Sequence, residues 1–160
     1  SNLLLCTLAW YTSVHQRTLV TPFEGGTGFV HSDSTVDPRY LSLMSENFIY
    51  SRLNVTPETV TAQHARLLMF VDGSQYGSMQ SKLLKEADVI QKNKISSDFI
   101  ITDMRLDPRA LKANVTGILN RHVGSRELNT SRRIYELTYR YRFGRLSIVS
   151  FSLKKEYEHA

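Results

Sequence analysis

The apolar positions in the first half of the chain, after a glycine-rich stretch, recur at helical spacing and predict three helices. Asp37-Pro38 is a helix start, because aspartate caps a helix N-terminus and proline suits its first position, and the first helix is expected over 38–53. Thr56-Pro57-Glu58 repeats this signal, and Asp72-Gly73 ends the second helix. A third apolar stripe predicts a helix from Gln75 to Lys94.

After Lys94 the pattern changes to alternation, which is typical of half-buried strands. In Tyr139–Phe143 aromatic and arginine side chains alternate, so the rings are expected in the core and the arginines in solvent. Turn residues at 107–108, 124–125 and 144 separate four predicted strands, over residues 99–107, 111–120, 135–143 and 146–155. Helices followed by an antiparallel meander predict an α+β fold, with three helices on one face of a four-stranded antiparallel sheet.

The first sixteen residues contain no Lys, Arg, Asp or Glu, and their apolar run ends in an aromatic pair. This pattern predicts the end of a transmembrane helix, because aromatic residues favour the membrane interface. The membrane-anchor residues are Leu3, Leu4, Leu5, Leu8, Trp10 and Tyr11. Sixteen helical residues span about 24 Å, less than the ~30 Å hydrocarbon core, so the span must begin upstream of Ser1 and the chain is expected to be a fragment.

Other interpretations of this segment stay open. A secretory signal peptide is less favoured, because the segment has no basic start and no small-residue cleavage site. An amphipathic or buried helix of a soluble domain is also compatible with the pattern. Lipid modification of Cys6 is disfavoured, because Leu5 stands where a small residue is normally found.

Residues 21–37 are rich in Gly, Ser and Thr and lack periodicity, which indicates a linker. The sequence therefore predicts the end of a transmembrane helix at 1–16, a linker at 17–37, an α+β domain at 38–157 and a tail at 158–160. A chain of 160 residues suffices for one such domain and not for two.

The charge is unevenly distributed along the chain. Residues 1–80 contain 4 basic and 6 acidic groups, whereas residues 81–160 contain 16 and 9. Nucleic acid, anionic lipid, an acidic protein partner or an ordinary solvated face are each compatible with the basic half. The single cysteine excludes an internal disulfide and cysteine-based zinc sites, and it permits the cytosol or the periplasm.

The basic residues of the last two strands lie among aromatic residues, a mixture typical of single-strand nucleic-acid binders. Alternation places the rings under the helices, where bases cannot stack on them, so direct nucleic-acid binding is not favoured. The solvent-facing residues of this hairpin are instead candidates for a partner interface: Arg140, Arg142, Arg145 and Lys154.

His64 and Asp103 are the candidates for acid–base catalysis. His64 lies on the apolar stripe of the second helix, and Asp103 shares a predicted strand face with Phe99 and Ile101, so a pocket could hold both. The structural alternatives are a core-edge histidine bonded to a backbone carbonyl and an aspartate paired with an arginine. No motif places a second catalytic group or a metal-ligand set, so the sequence predicts no catalytic residues, no cofactor and no metal site.

Two segments of the chain resemble one protein family. The first is Gln16-Arg17-Thr18-Leu19-Val20-Thr21-Pro22, which follows the apolar segment. The second is Arg52-Leu53-Asn54-Val55-Thr56-Pro57-Glu58-Thr59-Val60, at the junction of two predicted helices. In this order and context they resemble the TraE proteins of F-type conjugative type IV secretion systems, and the resemblance covers nearly the whole chain.

The resemblance implies a bitopic inner-membrane protein with one transmembrane helix and a periplasmic α+β domain. It implies a cone-shaped fold like that of the nuclear transport factor and ketosteroid isomerase superfamily. The implied role is structural: a homo-oligomer that contacts other secretion-system proteins in pilus assembly and DNA transfer. The alternative is a small-molecule-binding or isomerase-like enzyme of the same superfamily. The chain departs from the family pattern at its start, where a complete span is missing.

Overall fold

The computed structural model describes residues 36–158, which form three helices followed by four strands. The helices are α1 (Pro38–Leu53), α2 (Val60–Leu68) and α3 (Tyr76–Lys92), and the strands are β1 (Ser96–Asp107), β2 (Lys112–Val123), β3 (Arg126–Arg142) and β4 (Arg145–Glu158). The strands pair antiparallel in the order β1-β2-β3-β4, so the predicted α+β fold is confirmed. The predicted anchor segment and nearly all of the predicted linker lie outside the described residues.

The helix-start signals differ in how well they locate the helices. Asp37 caps α1 as predicted, because its Oδ1 accepts a hydrogen bond from the backbone N–H of Arg39 at 2.8 Å. The second signal lies before its helix: Thr56 and Thr59 exchange backbone-to-hydroxyl hydrogen bonds in a turn, and α2 begins only at Val60. It ends at Leu68, earlier than Asp72-Gly73 indicated.

The core lies between α1 and the face of the sheet that the helices cover. Phe48 of α1 packs near Tyr139 of β3, with ring centroids 6.0 Å apart, and the hydroxyl of Tyr139 lies 2.7 Å from that of Ser45. Burial raises the pKa of Tyr139. Tyr135 makes edge contacts with Phe99 and Phe151, so the strand residues form one continuous aromatic layer beneath the helices.

Gly117 is required where β2 passes beneath Phe99. A Cβ at this position would lie 2.5 Å from the carbonyl oxygen of Ile100 and from the ring of Phe99. The absence of a side chain leaves room for the Phe99 ring, whose centroid lies 5.6 Å from that of Tyr135.

Loops cover part of both sheet edges. Val55 pairs with Ser97 at the β1 edge, and Asp72 and Phe70 of the α2–α3 loop hydrogen-bond to Ile148 at the β4 edge. Because an open edge is a template for unwanted strand pairing, these bridges protect the sheet and fix the loop that follows α2.

The prediction that Phe143 lies in the core is wrong. Strand β3 ends at Arg142, and Phe143 and Gly144 form the turn to β4 with positive φ values of 53° and 71°. The alternation of the strand therefore stops one residue before Phe143, and its side chain is fully exposed at 104%.

Candidate functional site

His64, the first candidate catalytic residue, is a structural residue of the helical layer. It is 3% exposed, and its Nδ1 lies 3.3 Å from the carbonyl oxygen of Leu83 while its Nε2 lies 3.2 Å from that of Arg52. The ring therefore links α2 to α3 and to the end of α1. Both nitrogens lie within hydrogen-bond distance of backbone carbonyl oxygens, so the ring is held by the helical layer, although His64 also lines a cavity of about 510 Å³ between α2 and α3.

Asp103 does not lie on the predicted face. The β1–β2 register is irregular between Ile101 and Asp103, and this irregularity reverses the faces to which the following side chains point. Asp103 therefore lies on the side of the sheet away from the helices. Its side chain is exposed, and one carboxylate oxygen accepts a hydrogen bond from Nε of Arg105 at 3.3 Å. The acid–base pair with His64 is therefore not formed.

The four candidate interface residues divide into two groups. Arg140 binds Asp72 at 2.7 Å, and Arg145 donates to the carbonyl oxygen of Met69 at 2.9 Å, so both hold the end of α2 and the following loop against the hairpin. Hydrogen bonds from Ser74 and then from Arg140 lower the pKa of Asp72, and burial opposes this lowering only in part. Arg142 is exposed and makes no ion pair with any of residues 36–158.

Lys154 lies apart from the other three, on the uncovered face of the sheet. Its Nζ contacts Glu136 at 3.1 Å and Asn114 at 3.3 Å. Six residues of β3 separate Glu136 from Arg142, roughly 20 Å along a strand. The predicted interface is therefore not one continuous patch.

One cavity of about 410 Å³, here called the mouth pocket, lies between α3 and the covered face of the sheet. It is lined in part by Arg52, Glu86, Arg121, Arg133 and Tyr135. Arg52 is 6% exposed; it forms an ion pair with Glu86, donates to the carbonyl oxygen of Phe151 at 2.8 Å and stacks on the Phe151 ring. This arginine joins α1, α3 and β4 in a single contact set.

Arg133 is fixed from several sides at the same pocket. It donates to Glu156 through Nε and Nη2, at 2.9 and 2.6 Å, and to the hydroxyl of Tyr135 at 3.2 Å. Burial lowers the pKa of Arg133, but these hydrogen bonds outweigh burial and the net shift is upward. Arg133 is therefore a fixed charge of the pocket wall.

Arg121 is the exception in this pocket. Within the described part of the chain it makes no ion pair and no side-chain hydrogen bond, although it is half-buried. Burial lowers the pKa of Arg121 and the neighbouring Arg133 lowers it further, whereas Tyr135, Glu156 and Glu86 oppose the shift without reversing it. Sequence reasoning missed this pocket, because its residues come from separate elements; the alternation that places Arg121, Arg133 and Leu119 on one face was the signal available.

Two features are absent from residues 36–158. No helix in this range is long and apolar enough to cross a membrane. The same residues contain no group of three or more His, Cys, Asp or Glu side chains placed to bind a metal ion.

Several solved structures share this fold. A TraE protein in complex with 2-(2-furyl)isonicotinic acid matches with a TM-score of 0.64 at 14% identity, covering 75% of this chain and 98% of that chain. A TrwG component from Bartonella birtlesii matches with a TM-score of 0.62 at 11% identity, covering 81% and 97%. An IcmL-like protein from Legionella pneumophila matches with a TM-score of 0.56 at 13% identity, covering 79% and 97%.

Sequence comparison identifies the family. The family model of the TraE protein matches residues 1–153. Protein TraE of Salmonella typhi is 34% identical over 129 residues, covering 81% of this chain and 69% of the relative, and Protein TraE of Escherichia coli K12 is 34% identical over 122 residues, covering 76% and 65%. The chain therefore belongs to the TraE family, and it spans about two thirds of the length of these relatives. The likeness to nuclear transport factor and ketosteroid isomerase stays a prediction.

Proposed function

We propose that this chain is a structural component of a conjugative type IV secretion system and contributes to channel and pilus assembly for DNA transfer. The observation that carries the proposal is the TraE family match over residues 1–153. The fold shared with type IV secretion components supports it. The chain would be attached to the bacterial inner membrane by a single span ending near Tyr11, with the α+β domain in the periplasm.

A non-catalytic role is consistent with the positions of the two candidate residues. His64 is engaged by backbone carbonyls of α1 and α3, and Asp103 lies on the opposite side of the sheet beside Arg105. An isomerase-like reaction in one pocket would need these groups to converge on a substrate.

The proposed partners are further copies of this chain and other secretion-system proteins. Of the four basic candidates, Arg140 and Arg145 already hold the α2–α3 loop and Lys154 pairs with Glu136, which leaves Arg142 as the residue most available for intermolecular contact. Self-association would be weak between isolated domains and stronger on a shared membrane, because tethering raises the effective concentration, to about the millimolar range.

The test is plasmid transfer from a donor strain that lacks the gene. We expect transfer to be lost and to be restored by the full-length gene and by its Asp103→Ala variant, since Asp103 is exposed and has no structural role in the core. Fractionation of the same cells should recover the protein with the membranes. Normal transfer without the gene would contradict the structural role, and loss of transfer with a folded Asp103→Ala protein would favour catalysis.

A second candidate function is suggested by Arg121. Its guanidinium lines the mouth pocket without a hydrogen bond to any carboxylate of residues 36–158, and a guanidinium is suited to a carboxylate ligand. The TraE protein of one solved structure is in complex with an aromatic carboxylic acid. We propose that the pocket binds small aromatic carboxylates without chemical reaction. Titration with 2-chloroisonicotinic acid, followed by NMR, should perturb Arg121 and Tyr135 in the parent chain. Arg121→Gln should abolish these perturbations, whereas the control Arg142→Gln should preserve them.

A further inference from the structure

The turn between β3 and β4 has an unusual residue at its first central position. Arg142 pairs with Arg145, and the two-residue turn Phe143-Gly144 has positive φ at both positions. This geometry favours Asn-Gly or Gly-Gly. Phenylalanine is strained there and is 104% exposed, so neither turn formation nor core packing explains its presence.

A second exposed apolar residue lies beside this turn. Met69, at the end of α2, is 68% exposed, and Arg145 donates to its carbonyl oxygen at 2.9 Å. The hydrogen bond fixes the end of α2 against the hairpin. We define the tip as Arg142, Phe143, Arg145 and Met69.

The charge of the tip is positive. Arg142 and Arg145 flank the phenylalanine, and both side chains are exposed. The carboxylate of Asp72, on the adjoining loop, already accepts hydrogen bonds from Arg140 at 2.7 Å and from Ser74. Arg142 is therefore directed to solvent beside an exposed ring, whereas Arg145 adds positive charge nearby while it holds the carbonyl oxygen of Met69.

The tip lies at the end of the domain where α1 begins. Tyr40, in the first turn of α1, is buried near Tyr141, which is two residues before Phe143; burial raises the pKa of Tyr40 and the neighbouring Tyr141 raises it further. Residues preceding α1 therefore join the domain at the end that carries the tip. The predicted linker of residues 17–37 can extend at most about 70 Å from the predicted anchor, at ~3.3 Å per residue.

We propose that the tip docks on a bilayer surface that contains anionic phospholipid, with Phe143 and Met69 in the interfacial region and Arg142 on a phosphate group. Exposed aromatic residues partition to the interface, and arginine binds phosphate in a two-pronged geometry. This inference rests on the proposed membrane attachment, because a tether at the same end of the domain keeps the tip close to the bilayer.

The experiment measures the depth of the tip in vesicles. The chain has one tryptophan, Trp10, so Trp10→Phe with Phe143→Trp gives a single reporter at the tip. An N-terminal polyhistidine tag and a nickel-chelating lipid attach the full 160-residue chain to vesicles whether or not residues 1–16 insert. The vesicles consist of phosphatidylcholine with or without phosphatidylglycerol, and brominated acyl chains serve as the quencher.

The opposite end of β3 offers a matched control. Leu128 is 44% exposed near the β2–β3 turn and also lies close to an arginine, Arg126. It is fifteen residues from Phe143, about 50 Å along the strand at ~3.3 Å per residue. The variant with Trp10→Phe and Leu128→Trp therefore places the single reporter at the opposite end of the domain, and its quenching is measured on the same vesicles.

We expect quenching and a blue-shifted emission for the tryptophan at 143 on vesicles with phosphatidylglycerol, and neither for the tryptophan at 128. Adding Arg142→Glu changes the charge of the tip by two units. It should weaken the affinity for vesicles about thirty-fold, measured by titrating untethered protein with vesicles. Equal signals at the two positions, or no quenching at 143 in tethered protein, would overturn the proposal and leave the tip to a protein partner. Flotation without the nickel lipid tests the proposed anchor separately, so the two failures are distinguishable.

Discussion

Arginines occur at both ends of this domain, and their surroundings differ. At the mouth pocket, Arg52 and Arg133 are fixed by Glu86 and Glu156 and by backbone or hydroxyl acceptors. At the tip, Arg142 is exposed beside Phe143 and pairs with no carboxylate of the described domain. A high content of arginine in one half of a sequence therefore does not define one surface. Buried and paired arginines stabilise the fold, whereas an exposed arginine without a carboxylate partner in the domain is available for contacts with other molecules.

The largest effect is expected for Arg52→Ala. The substitution removes the ion pair with Glu86 and leaves the carbonyl oxygen of Phe151 without its donor, at a place where α1, α3 and β4 meet. We expect the free energy of unfolding to fall by about 3 kcal/mol, measured by urea denaturation. Arg142→Ala is the matched control and should change it by less than about 0.5 kcal/mol. Equal losses would contradict the distinction between the two ends.

Gly117→Ala should have the next largest effect. The new Cβ would contact the Ile100 carbonyl oxygen and the Phe99 ring at 2.5 Å, so Phe99 must move away from Tyr135. We expect a loss of about 2 kcal/mol in the free energy of unfolding. Gly73→Ala, where no atom lies within 4 Å of the added Cβ, should be close to neutral. A neutral Gly117→Ala variant would show that the aromatic layer rearranges freely.

Acidification should lower the stability of the domain at both of its ends, because each end contains a carboxylate whose pKa is lowered in the folded state. A hydrogen bond from Arg133 lowers the pKa of Glu156 below its ordinary 4.5, and hydrogen bonds from Ser74 and Arg140 lower that of Asp72 below its ordinary 3.8. A carboxyl with a lowered pKa binds fewer protons in the folded state, so its contribution is present above the unfolded pKa and is lost as pH falls through the folded pKa.

The measurement compares urea denaturation at pH 7 and below pH 4 for the parent chain, Glu156→Gln and Asp72→Asn. Each variant should lose stability at neutral pH and show a smaller decrease on acidification than the parent. Each variant removes one ion pair outside the core, so these effects should be smaller than those of Arg52→Ala and Gly117→Ala. An unchanged acid response in Glu156→Gln would assign the acid sensitivity to other groups.

Local signals in the sequence predicted the fold, since the Asp37 cap, the period change and the turn at Gly144 act over a few residues. They did not predict the irregularity between Ile101 and Asp103, because a bulge depends on how two strands pair and reverses the face of each later residue. The mouth pocket was missed for a related reason. Arg52, Arg121 and Arg133 are brought together only when α1 packs on the sheet.

The tip is the most informative failure of the sequence interpretation. Alternation predicted a core position for Phe143, and the turn geometry at Phe143-Gly144 overrides that pattern. A position that breaks a local rule, with no compensating contact within the described domain, indicates a constraint that comes from outside the domain.

The smallest expected change in stability gives the sharpest test of this idea. Phe143→Asn creates Asn-Gly, the sequence that a turn with positive φ at both positions prefers, and it removes an exposed ring that contacts nothing in the fold. We expect the free energy of unfolding to rise by about 0.5 kcal/mol, because the strain at residue 143 is relieved. We also expect plasmid transfer by a strain carrying the variant to decrease, although the protein accumulates normally. Increased stability together with normal transfer would show that Phe143 has no role beyond the turn, whereas decreased stability would show that the ring has a contact within the protein.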